Sequence, residues 1–190
     1  MTHRFVANAV YALPIGKNGV ILNNNSAAAR FIGGWQVNGV LTLQTGLPFS
    51  VAAPDASATG GSHASRANCI GDPFAGTTTD PSRLAGATAP GFFINPAAFS
   101  LAANGTFGTC APRMFHGPGI ENLDASIFKE FLFGERYKVE FRSEFFNALN
   151  HVNFGNPSAN VAPASIGSFG KLLTTVGDPR EIQFALKVYF

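Results

Sequence analysis

The stretch from Tyr137 to Phe146, YKVEFRSEFF, alternates without a break: Tyr137, Val139, Phe141, Ser143 and Phe145 point one way, Lys138, Glu140, Arg142 and Glu144 the other. Successive side chains of an extended chain leave on opposite faces, so a period of two marks a β-strand with one apolar and one charged side. The pattern returns in EIQFALKVYF, residues 181–190, where Ile182, Phe184, Leu186, Val188 and Phe190 oppose Glu181, Gln183, Ala185, Lys187 and Tyr189. Terminal residues ordinarily fray for want of neighbours. An aromatic Phe190 kept in register suggests a role for that residue.

Three further stretches repeat the alternation. In NLDASIFKEF, Leu123, Ala125 and Ile127 oppose Asp124, Ser126 and Phe128; in GGWQVNGVLTLQTG, Trp35, Val37, Gly39, Leu41 and Leu43 oppose Gln36, Asn38, Val40, Thr42 and Gln44. In HRFVANAVYAL, Phe5, Ala7, Ala9, Tyr11 and Leu13 oppose Arg4, Val6, Asn8 and Val10, and Pro14 ends the run. The expected fold is all-β: an antiparallel meander of five long strands near residues 2–13, 33–45, 122–132, 136–147 and 180–190. Between Leu47 and Asn122 the period dissolves into Ala, Gly, Pro, Ser and Thr, a connection far longer than usual and so either functional or poorly ordered.

A strand with one apolar face suits the core of a soluble β-sandwich or the lipid-facing wall of a membrane barrel. Composition favours the barrel. Charged residues make up 13% of the 190, against about 25% in soluble domains, while Phe occurs 19 times. The polar rows of Gln, Asn, Thr, Ser and Asp suit a wet barrel interior. Trp35, Tyr11, Phe131, Phe133, Tyr137, Tyr189 and Phe190 gather towards strand ends, where an interfacial girdle sits. If Phe190 ends in the periplasm, the loop of about 47–121 and the connection of about 148–179 fall outside the cell, with FGKLLTT at most a local hairpin in the latter. The short LFGER link then falls inside, the usual asymmetry of outer-membrane barrels.

Other classes lose support. The net charge of +2 gives no basic face for nucleic acid. No apolar run reaches the length of a membrane helix, and MTHRFVANAV lacks the apolar core of an export signal. His3, His63, His116 and His151 show no metal spacing, and nucleophile and phosphate-loop motifs are missing, so neither enzyme nor cofactor is expected. Asp55, Asp72 and Asp80 lack a calcium-loop pattern, and HGPGIEN, residues 116–122, reads as a turn into the next strand. Cys69 and Cys110 do not form a CxxC pair, and share the long connection, where an oxidising compartment would join them as a disulfide.

FRSEFFNALNHVNFGNP and GSFGKLLTTVGDPREIQFALKVYF resemble the C-terminal end of TonB-dependent outer-membrane transporters, specifically the Oar-like receptors. HRFVANAVYALPIGK, GGWQVNGVLTLQTGLPFSV, FFINPAAFS and GTFGTCAPRMFHGPGIENLDASIFKEF extend the likeness over nearly the whole chain. The resemblance implies an open portion of a barrel of roughly 22 strands that closes round an N-terminal plug. It implies import of a scarce extracellular solute, driven by an energy-coupling protein that grips a segment near the receptor's N-terminus. Plug and coupling segment have no match here, so Met1 is expected to be an internal position of a longer receptor. Phe184, Leu186, Val188 and Phe190 resemble the signal read by the barrel-assembly machinery. Lys138, Glu140, Arg142 and Glu144 are expected to face the lumen, and the opposite row outer-membrane lipid. The rival reading is a secreted or surface β-sandwich that binds carbohydrate or protein, its apolar faces packed between two sheets.

Overall fold

The computed structural model describes residues 3–16, 20–21, 26–59, 66–86, 88–133 and 136–190. His63, the expected start of the first strand at residue 2, and Gly134 and Glu135 of the LFGER link lie outside the described residues. Among the described residues the strands are, in chain order, β1 (Arg4–Ala12), β2 (Trp35–Gln44), β3 (Pro48–Phe49), β4 (Asn68–Cys69), β5 (Phe99–Ser100), β6 (Phe115–His116), β7 (Ile120–Phe133), β8 (Tyr137–Phe146) and β9 (Glu181–Tyr189). Among the described residues helix is confined to α1 (Ala27–Ile32), α2 (Pro81–Leu84) and two 3-10 turns.

The five long strands form one sheet in the order β1-β2-β7-β8-β9, with β1 and β9 at its edges. It is the antiparallel meander expected from the alternation, and β7 starts two residues earlier than the expected 122. Its register is regular: β7 and β8 pair from Ala125↔Phe145 to Phe133↔Tyr137, and β8 and β9 from Lys138↔Tyr189 to Phe146↔Glu181. The ends of β7 and β9 and the start of β8 therefore share one end of the sheet, which gathers Phe133, Tyr137 and Tyr189 there. The Leu13 N–H donates to the Trp35 carbonyl at 2.8 Å, which brings the end of β1 to the start of β2 at that same end.

The described residues between β1 and β2 make specific local contacts. Ser26 caps α1 through its hydroxyl, which accepts from the Ala29 N–H at 3.1 Å, and the Gly33 N–H closes the last turn on the Ala29 carbonyl at 3.0 Å. Gly16, at φ +100°, crosses Gly33 so closely that a Cβ on either would come within 2.6 Å of the other's Cα.

A second compact unit comprises Gln44–Ile120 with Asn153–Val176. The stretch from Leu47 to Asn122 is expected to be either functional or poorly ordered; its described residues, with Asn153–Val176, pack about a core of Phe49, Val51, Ile94, Phe99, Cys110, Phe115, Val161 and Phe169. Rings meet at 5.7 Å for Phe49 and Phe115 and at 5.5 Å for Phe99 and Phe169, distances that favour tilted aromatic pairs. Strand pairing in this unit comes in short pieces: β3 pairs β6, β4 pairs β5, and isolated bridges join Ala52 to Arg66 and to Asn160. FGKLLTT is no hairpin by itself. It folds back on residues 154–158, with Phe154 bridging Thr175 and the Gly170 N–H donating to the Ser158 carbonyl at 2.7 Å, and it also bridges Ala85 through Leu172.

Candidate functional site: a charged sheet face and a loop unit

Lys138, Glu140, Arg142 and Glu144 lie on one face of β8 as the alternation requires, and the structure joins them into a chain. Arg142 stands between the two glutamates, with Nη2 3.3 Å from Glu140 Oε1 and Nη1 3.6 Å from Glu144 Oε1, and its guanidinium lies 4.4 Å over the Phe128 ring. The Tyr189 hydroxyl donates to the other Glu140 oxygen at 3.3 Å, and Lys138 pairs with Glu130. On β2, Gln36 donates to Asn38 at 2.8 Å, and Asn38 reaches Ser126 of β7 at 3.4 Å. Of these groups Gln36, Phe128, Glu130, Glu140 and Arg142 help line a concavity of about 730 Å³. Each carboxylate of β8 faces a cation or a hydroxyl, so the row offers fixed polarity to a solvated surface.

The opposite face is apolar. Trp35 meets Phe141 edge-on at 6.2 Å, Phe141 stacks with Phe184 at 6.3 Å, and Phe141 stands in register with Leu186 and Val139 with Val188. Phe184, Leu186 and Val188 thus occupy one side of edge strand β9, and Phe190, just past the end of that strand, is 97% exposed.

In the loop unit Cys69 and Cys110 are joined as a disulfide, with Cα atoms 5.1 Å apart across a sequence separation of 41. Cys110 is buried in the core, so the bond ties half-buried β4 to the centre of the unit. Asp55, Asp72 and Asp80 each serve a local turn, accepting the N–H of Ser57, Phe74 and Ser82 at 2.9 Å. The Ser82 hydroxyl and N–H hold the Asp80 carboxyl below its ordinary pKa. Among the described residues no three His, Cys, Asp or Glu are placed to hold a metal.

Two lysines went unremarked in the sequence. Lys129 falls on the Phe131 and Phe141 side of β7 by register, and it is buried, donating to the Gly33 carbonyl after α1. Continuing the alternation past Phe128 reveals it as a lone charge in an apolar row. Lys171 is buried in the loop unit, donating to the carbonyls of Ala89 and, at 2.7 Å, Gly91, with its ammonium 4.1 Å over the Phe92 ring. Aperiodic sequence holds no signal for that contact.

Comparison with known proteins agrees with the sheet. The family described as outer membrane beta barrel domain matches residues 1–183. No curated protein and no solved structure matches the chain. With one face apolar, the other charged and the family match running through all but the last residues, the chain belongs to the outer membrane beta barrel family and is a protein of the Gram-negative outer membrane.

Proposed function

We propose that the chain forms part of the wall of a TonB-dependent, Oar-like receptor that imports an extracellular solute and performs no catalysis. The observation that carries this reading is the division of one sheet into two chemistries. Glu144, Arg142, Glu140 and Tyr189 form a polar chain on one side, while Trp35, Phe141 and Phe184 pack ring to ring on the other. Lys138, Glu140, Arg142 and Glu144 face the lumen and the Phe141 row faces lipid, since an apolar belt outside and a polar surface inside is the arrangement a barrel wall requires. The aromatic end of the sheet is periplasmic, and the loop unit is extracellular. Phe184, Leu186, Val188 and Phe190 present an unpaired edge to the barrel-assembly machinery before the remaining strands and plug complete the receptor. The energy-coupling protein acts through the N-terminal part of that receptor.

The test is solute depletion by cells that make the full receptor, followed by mass spectrometry of the medium with and without the inner-membrane proton gradient. Energised import predicts a solute that disappears only when receptor and gradient are both present. Depletion without the gradient identifies a passive pore and overturns the reading.

A further inference from the structure

The geometry points to a binding site in the loop unit for a small uncharged apolar molecule, an aromatic or branched aliphatic group of about six to ten heavy atoms. The cavity is about 330 Å³ and is walled by Pro81, Leu84, Phe93, Pro118, Phe154 and Leu172, with Thr79 as its hydroxyl. A dry cavity of about 150 Å³ already takes benzene, so this one accommodates two fused rings. Leu84 and Leu172 border this space but are themselves almost fully buried, so its floor is built of packed side chains.

The walls are held in place without ligand. Leu172 N–H donates to the Leu84 carbonyl and Gly86 N–H to the Leu172 carbonyl, both at 3.0 Å, and Phe93 N–H donates to the Gly170 carbonyl at 2.7 Å. Charge decides the ligand class. Among the described residues no charged side chain lines the cavity. The buried cation of the unit, Lys171, is committed to two carbonyls and the Phe92 ring. A carboxylate or ammonium entering the cavity would lose much of its hydration with no opposite charge in exchange. As the capture point of an imported solute the site rests on the receptor reading; as a site for an apolar group it does not.

The test uses the full receptor in lipid nanodiscs with indole as probe, read by saturation-transfer NMR and titration. Indole binds the wild type, and Leu172→Trp, which fills the cavity, weakens binding tenfold or more. Phe154→Trp, on its half-buried side, does the same and serves where Leu172→Trp fails to fold. No binding by the wild type, or unchanged affinity in a folded variant, overturns the site whatever the uptake assay gives. Indole binding lost in the variants upholds the site even where import proves not to be energised.

Discussion

Glu130 stands directly across the β7–β8 ladder from Glu140. Like charges so placed repel, and each is answered separately: Lys138 pairs with Glu130, while Arg142 and Tyr189 take one oxygen each of Glu140. Lys138→Met therefore leaves the repulsion standing and lowers stability, but only modestly because the pair is half exposed. Adding Glu130→Gln restores most of that loss. Urea unfolding of the receptor in lipid checks both; equal loss in the single and double variants contradicts the pairing.

The faces of β8 differ in what they tolerate. Phe141→Lys places an ammonium among Trp35, Phe184 and Leu186 and costs about 2–4 kcal/mol in the intact receptor, whereas Glu140→Lys on the other face costs much less. Folding titrations into vesicles measure both. Similar costs at the two positions contradict a lipid-facing Phe141.

Cys69 and Cys110 close a span of 41 positions. In the chain-entropy model such a loop is worth about 4 kcal/mol. Cys69→Ser therefore opens the loop unit to protease while the five-stranded sheet persists, as read by limited proteolysis and mass mapping. An unchanged cleavage pattern contradicts this.

Asp80 caps α2 through Ser82, and its lowered pKa sets a sign. The carboxylate is favoured by folding, so its contribution is complete above the unfolded pKa of about 3.9 and is lost as pH falls through the lower folded value. Protection of the Ser82 amide, measured against its intrinsic exchange rate, should fall in that acid window, and Asp80→Asn should remove this pH dependence of the protection. Exchange with the same acid response in both proteins contradicts it.

How much of this was legible in the sequence follows from period. Each long strand lies in a single layer with one apolar and one polar row, so its pattern survives as strict alternation, and Tyr137–Phe146 alone divides the faces. The loop unit buries Phe49, Phe99, Phe115 and Phe169 from separate short segments. Their meeting is a tertiary event with no local repeat to announce it. Phe49, Val51 and Ala53 do alternate as buried residues after β2, the one trace of that core in the sequence. The cavity between Leu84, Phe154 and Leu172 depends on the same tertiary closure. Lys129 was legible, since the alternation of β7 places it among apolar neighbours.

The central claim is that one face of this sheet meets lipid and the other the lumen. Single spin labels at positions 138 to 145 of the full receptor in liposomes test it, by collision with oxygen against a water-soluble nickel complex. Labels at Val139, Phe141, Ser143 and Phe145 should favour oxygen and those at Lys138, Glu140, Arg142 and Glu144 nickel, a period of two along the strand. Nickel access at all eight positions, or oxygen preference on the Glu140 side, would contradict the account.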